Sequence, residues 1–115
     1  MNITEIATAF SNGHFDKTYP FLADNIEWTV VEENQFIGKN AVLQNCKQIS
    51  NYFKSVTTNF STLNVITDNN KVAINGTAEF LKDKKRLSFV SSCDFYEFDD
   101  NKFLVRITSY CIQKK

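Results

Sequence analysis

The order of segments constrains this chain more than any single motif. Two short helical stretches flank Gly13, an alternating segment covers residues 24–31, and Gly38 opens a longer amphipathic stretch. From about Thr57 onward every segment reads as a strand. Helices first and a long run of strands afterwards describe an α+β domain with its helices on one face of a sheet. The layout implies a curved sheet wrapped around helices, with room for a pocket.

Each segment has a local reason. Ile3, Ile6, Ala7 and Phe10 recur at helical spacing, and Asn2 with Glu5 forms a capping-box pattern. Gly13 stands where a helix-ending glycine belongs. Asp16 is placed to cap a second helix through about Leu22, with Pro20 near its first turn. Ile26, Trp28 and Val30 alternate with Glu27 and Thr29, which marks a half-buried strand, and Gln35-Phe36-Ile37 makes a short return strand. Asn40 is placed to cap a third helix reaching about Ser55, whose buried stripe is Val42, Cys46, Ile49 and Phe53, with Leu43 and Tyr52 on its shoulder. Strands are expected at about 58–67, 71–82, 86–98 and 102–113. Short polar breaks at Asp68-Asn69-Asn70, Asp83-Lys84-Lys85 and Asp99-Asp100-Asn101 join them, so they form an antiparallel meander.

Composition narrows the function classes. At 115 residues the chain is sized for a single domain spanning 1–115. Thirteen basic residues balance thirteen acidic ones, so there is no long-range field to gather nucleic acid or anionic lipid. The basic run Lys82-Asp83-Lys84-Lys85-Arg86 reads as a solvated hairpin turn. No stretch approaches the roughly 20 apolar residues of a membrane span, and Met1-Asn2-Ile3-Thr4-Glu5 lacks the basic opening of a signal peptide. Cys46, Cys93 and Cys111 have neither disulfide nor zinc spacing and read as reduced, mostly buried thiols of a cytoplasmic protein. His14 is the lone histidine, best used at the end of the first helix. No metal and no cofactor are expected.

Several motifs together carry a family resemblance. They are Asn12-Gly13-His14-Phe15-Asp16, then Phe21 to Trp28, then Phe36-Ile37-Gly38-Lys39-Asn40-Ala41-Val42, and the final hairpin around Phe95 to Arg106. In these the chain resembles the nuclear transport factor 2-like superfamily, especially its SnoaL-like and ketosteroid isomerase-like branches. The resemblance implies a cone-shaped, cystatin-like fold, with three N-terminal helices packed in a strongly curved antiparallel sheet and a pocket at the open end. It also implies a homodimer through the outer sheet face. The isomerase branch uses a carboxylate base, a tyrosine from helix one and an acid on a late strand. On alignment, the tyrosine position is Ile6 and the base position falls at Val30, while the late acid falls on Asp94. One role of three is filled, which argues against steroid isomerisation by that route.

Asp94 is therefore the candidate catalytic residue and the centre of the candidate ligand site. Ser92, Asp94, Tyr96 and Phe98 share one face of their strand. The expected final turn sets Arg106 opposite Asp94, with Leu104, Thr108 and Tyr110 on the face of Arg106. If that face is concave, Asp94 and Arg106 anchor a carboxylate or hydroxyl ligand; if it is convex, they form a solvent-side ion pair. Trp28 and Tyr52 are further candidates for the wall, each with a plain packing alternative. Glu32 and Glu33 offer a second carboxylate from a loop.

Three functions fit. The first is a binding domain for an apolar small molecule, contacted by Trp28, Tyr52, Ser92, Asp94, Tyr96, Arg106 and Tyr110. The second is a small enzyme of isomerase, dehydratase or epoxide-opening type with Asp94 as acid or base. The third is a protein-interaction module. Abundant phenylalanine, eleven in all, is compatible with each.

Overall fold

The computed structural model describes residues 1–115. Helix α1 (Ile3–Ser11) is followed by a 3-10 helix (Phe15–Phe21), strands β1 (Leu22–Val30) and β2 (Asn34–Ile37), and helix α2 (Lys39–Ser55). Strands β3 (Thr57–Asp68), β4 (Lys71–Lys82), β5 (Lys85–Phe98) and β6 (Leu104–Gln113) complete the chain. The six strands form one sheet in the order β2-β1-β6-β5-β4-β3. The curved, unclosed sheet and its three helices make the expected cone. No helix is long and apolar enough to cross a membrane.

The first helix forms as its sequence requires. The Asn2 side chain accepts from the Glu5 amide and Glu5 accepts from the Asn2 amide, satisfying two orphan donors reciprocally. Gly13 adopts φ +79, and a Cβ there would lie 2.9 Å from Phe53 Cε2, so both backbone and space demand glycine.

The second helix differs from expectation. It is a 3-10 helix in which His14, not Asp16, holds the cap position without a side-chain hydrogen bond, and Pro20 lies near its end. Seven residues including a proline give little room for an α-helical hydrogen-bond ladder. The buried Thr18 hydroxyl instead donates to the Phe15 carbonyl at 2.6 Å. Helix α2 likewise starts two residues early: Gly38 at φ 91 is its cap in place of Asn40, which lies in the first turn. Val42 and Cys46 are fully buried on its inner stripe.

Strands β3 to β6 pair as the expected antiparallel meander. One pairing is not local: β1 runs parallel to β6, with Trp28 beside Ile107 and Thr29 beside Thr108. This pairing carries the N-terminal half of the chain onto the final strand.

Register shifts give the sheet its bend. Between β3 and β4 the register skips Leu63, between β4 and β5 it skips Leu87, and between β5 and β6 it skips Val105. An extra residue on one strand of a pair bends that strand and increases its twist. Opposite the first bulge, a Cβ on Gly76 would collide with the Ser61 carbonyl, so only glycine fits there. The core fills the resulting hollow. Ile6, Ala7 and Phe10 of α1 and Val42 and Cys46 of α2 pack on Leu22, Ile26, Trp28, Ile74, Tyr96 and Ile107 of the sheet. Burying each large side chain contributes about 1.5–3 kcal/mol.

Two of the three thiols depart from the expected burial. Cys46 is buried, whereas Cys93 and Cys111 belong to exposed residues, and all three are unpaired. Cys93 falls on the outward parity of β5, and Cys111 lies on β6 beyond the core.

Candidate functional site

The inner face of the cone is not filled completely. A cavity of about 490 Å³ lies between α1, α2 and the concave side of the sheet. Its walls are largely aromatic: Phe10, Phe15, Trp28, Phe53, Phe60 and Phe80. The Phe10 ring sits edge-on to Phe15 at 4.8 Å and to Trp28 at 5.0 Å. Phe53 lies 5.4 Å from Phe60 and 5.6 Å from Phe80. These contacts hold the rings in offset and edge-on geometries, which fixes the shape of the wall.

One acid enters this apolar space. Asp94 projects from the concave face of β5, with Ser92 beside it, and both line the cavity. The Ser11 hydroxyl, at the last turn of α1, donates to Asp94 Oδ2 at 3.0 Å. Ser11 Oγ also lies 2.5 Å from the Tyr96 hydroxyl. Because Ser11 gives its proton to Asp94, Tyr96 is the donor in that second bond. Ser109 stands opposite Asp94 in the β5–β6 register and receives the indole N–H of Trp28 at 3.0 Å. No buried side-chain nitrogen or oxygen is left without a partner.

The electrostatics follow from this arrangement. Burial raises the Asp94 pKa above its ordinary value, while the hydroxyls of Ser109, Ser11 and Tyr96 around it act against the rise. Burial also drives the Tyr96 phenol well above its usual range, reinforced by the neighbouring Asp94 charge. Tyr96 therefore remains a neutral donor. The cluster amounts to a carboxyl in an apolar cavity, reached by a short relay of hydroxyls. Such a group can accept a hydrogen bond from a ligand or exchange a proton with it.

The other expected site residues divide. Trp28 and Ser92 line the cavity with Asp94. Tyr96 is fully buried behind the wall and acts through Ser11. Tyr52 is 45% exposed and packs on Phe53 and Phe80 from outside the lining. Arg106 and Tyr110 lie on the opposite, convex side. Arg106 is 3.5 Å from Glu97 and 3.8 Å from Glu27, and Tyr110 is 50% exposed. The expected pairing of Asp94 with Arg106 is thus replaced by Asp94 with Ser109.

The cause is the final turn. Its polar part was expected to end at Asn101, but Asp99 Oδ1 accepts the amides of Asn101 and Phe103, and the Asp99 amide bonds the Phe103 carbonyl. The longer turn displaces β6 by three residues, and an odd displacement exchanges the two faces. Beyond the bulge at Val105, Ile107 and Ser109 turn inward and Arg106, Thr108 and Tyr110 outward, although Leu104 is itself buried.

Ser11 and Ser109 were not singled out from the sequence. Each is an ordinary serine whose role depends on a partner more than eighty positions away. Glu33, one of the two loop carboxylates, reaches the cavity rim. Positions 6 and 30 are indeed Ile and Val; Val30 lines the cavity and Ile6 is core.

With this geometry in place, the sequence profile of the SnoaL-like domain matches residues 3–106. The chain belongs to the SnoaL-like domain family. That family lies within the nuclear transport factor 2-like superfamily. The SnoaL-like domain is similar to a nuclear transport factor 2-like protein of unknown function from Cytophaga hutchinsonii, with 34% identity, a TM-score of 0.84 and 94% of each chain covered. It shares its fold with an LEH-like epoxide hydrolase of M. tuberculosis at 17% identity and a TM-score of 0.67, covering 91% of this chain and 75% of that one. No curated protein matches this chain.

Proposed function

We propose that this SnoaL-like domain binds an apolar small molecule in the aromatic cavity, with Asp94 as its polar anchor. One observation carries the reading: a hollow of about 490 Å³ with six aromatic side chains in its wall and a single largely buried carboxyl, Asp94, projecting into it. Small-molecule sites typically combine an apolar lining of this size with a few placed polar groups. Trp28, Ser92 and Asp94 form the contact set, supported by Ser11, Tyr96 and Ser109. Arg106, Tyr110 and Tyr52 lie outside it.

A neutral naphthol titrated against Trp28 fluorescence tests the reading, since Trp28 is the only tryptophan and lies in the wall. Saturable quenching is expected in the wild type. Ala78 also lines the cavity, and Ala78→Phe fills the space; binding should weaken at least about tenfold in this variant. Equal binding by both proteins removes the reading.

A second reading is catalytic, and the raised pKa of Asp94 favours it. A carboxyl shifted upward in an apolar site holds its proton more readily than a free aspartate and is suited to exchange it with a ligand. The epoxide hydrolase similarity concerns the fold and supplies the reaction class worth screening first. Asp94→Asn should then abolish turnover of any substrate found; full activity in that variant excludes Asp94 as the acid or base.

The outer sheet face fits a homodimer contact. Tyr110 and Ile112 stand there at 50% and 72% exposure, an apolar surface that association would cover. Light scattering should report twice the chain mass, and Ile112→Lys should return it to one. Unpaired thiols suit a reducing compartment such as the cytoplasm.

A further inference from the structure

The cavity contains carboxylates without a counter-charge. Asp94 lies in its wall and Glu33 at its rim, and none of the 18 lining residues is Lys, Arg or His. The cation expected from the sequence, Arg106, sits on the far side of the sheet against Glu27 and Glu97. The negative potential extends into the space. The Cys111 thiol, on the same wall, is pushed up to about 11, first by burial and then by the Asp94 and Glu33 charges.

The hydrogen-bond polarity points the same way. The Trp28 indole can only donate, and it donates to Ser109, which leaves the Ser109 proton free for Asp94. Tyr96 gives its proton to Ser11, and Ser11 gives its own to Asp94. Every proton in the cluster is directed toward the carboxylate. What remains for a ligand is acceptor capacity, since an ionised carboxylate offers about four lone-pair sites. At this cluster a ligand carbonyl or carboxylate would meet the lone pairs of Asp94, while a donor group would be satisfied there; the other polar lining groups, Asn45, Gln113 and Ser92, are neutral.

The aromatic wall selects among donors. Phe10, Phe15 and Trp28 pack on one another in the wall of the cavity that Asp94 enters, and the Trp28 indole bonds Ser109, the residue opposite Asp94. An aromatic face attracts a cation, and more strongly where water is excluded. A neutral hydroxyl gains nothing comparable from the rings.

We propose that the cavity selects a protonated primary amine on an apolar body, with its ammonium hydrogen-bonded to Asp94 and resting against the aromatic wall, and that it rejects carboxylates of the same shape. This assignment rests on the small-molecule reading above and adds the chemical class of the ligand. Glu33 at the rim supplies a second attraction during entry.

Phenethylamine, phenethyl alcohol and phenylacetate share one body and differ in charge. Their binding is read by Trp28 fluorescence at neutral pH and checked by calorimetry. The amine should bind at least about tenfold tighter than the alcohol, as expected for a charge-assisted bond replacing a neutral one, and phenylacetate should be weakest. Asp94→Asn should bring amine and alcohol together. Glu33→Gln, at an exposed position that leaves the core untouched, should reduce the amine preference by a smaller factor. Equal affinity for amine and alcohol in the wild type overturns the assignment but leaves a neutral-ligand cavity standing. Tightest binding by phenylacetate, or an amine preference unchanged in both variants, also overturns it. If none of the three binds, and the naphthol also fails, the cavity reading falls and this assignment with it.

Discussion

Strand β5 carries two acidic residues three positions apart, Asp94 and Glu97, and the two have opposite surroundings. Asp94 faces the concave side, where hydroxyls of Ser11 and Ser109 and the aromatic wall enclose it. Glu97 faces the convex side, 3.5 Å from an Arg106 that is 56% exposed. On the outer face, water screens the charges and the pair is worth about 0.2–1 kcal/mol. On the inner face, the same functional group is largely desolvated, and its protonation is coupled to the fold. Strand parity alone decides which carboxylate is a candidate for chemistry and which is surface charge.

The sharpest way to break this contrast is to truncate one residue on each face. Ile107→Ala empties a fully buried position and should cost about 2–5 kcal/mol in a denaturant titration. Ile112→Ala, on the same strand but 72% exposed, should stay within about 0.5 kcal/mol for the isolated chain. Equal costs would mean that the two faces are not distinguished as described.

The tyrosines give a smaller contrast of the same kind. Tyr96→Phe removes the donor to Ser11 from a fully buried site and should cost about 1–3 kcal/mol. Tyr110→Phe removes a hydroxyl from a half-exposed side chain and should leave the thermal midpoint unchanged.

The pH dependence sharpens the comparison further. The Asp94 pKa is higher in the fold than in the unfolded chain, so the folded protein binds this proton more tightly. The ionised form costs stability above the folded pKa, and the cost fades as pH falls through that value toward the unfolded one. Asp94→Asn lacks this titration. The stability of the wild type relative to the variant should therefore improve as pH is lowered from neutral into the carboxylate range. A difference that stays constant with pH would place Asp94 in water. The smallest effect is expected on the outside, where Arg106→Ala should cost less than about 1 kcal/mol and leave cavity binding intact.

Much of the fold was legible because local signals were strong. The Asn2/Glu5 cap, the Val42–Cys46 stripe and the polar hairpin turns each fix an element from neighbouring residues. The parallel contact of β1 with β6 was not legible, since it joins segments some eighty residues apart with no short-range signature. Half of the candidate site was legible for a related reason. Alternation put Ser92, Asp94 and Tyr96 on one face, and that face is the concave one. The partner strand was misregistered because Asp99 draws Lys102 and Phe103 into the turn, with Lys102 at φ 68. A loop two residues longer than its polar core, followed by a bulge at Val105, is invisible to periodicity. Arg106 and Tyr110 consequently changed sides, and Ser109 took the place opposite Asp94.

The central claim is that Asp94 is a desolvated acid facing an apolar, ligand-accessible cavity. Carbon-13 NMR of the aspartate side chains, followed through a pH titration with Asp94→Asn for assignment, tests it most directly. The account predicts an Asp94 midpoint clearly above the ordinary aspartate range, displaced again when phenethylamine is added. A midpoint at the ordinary value, insensitive to the amine, would contradict it and return Asp94 to the status of a surface carboxylate.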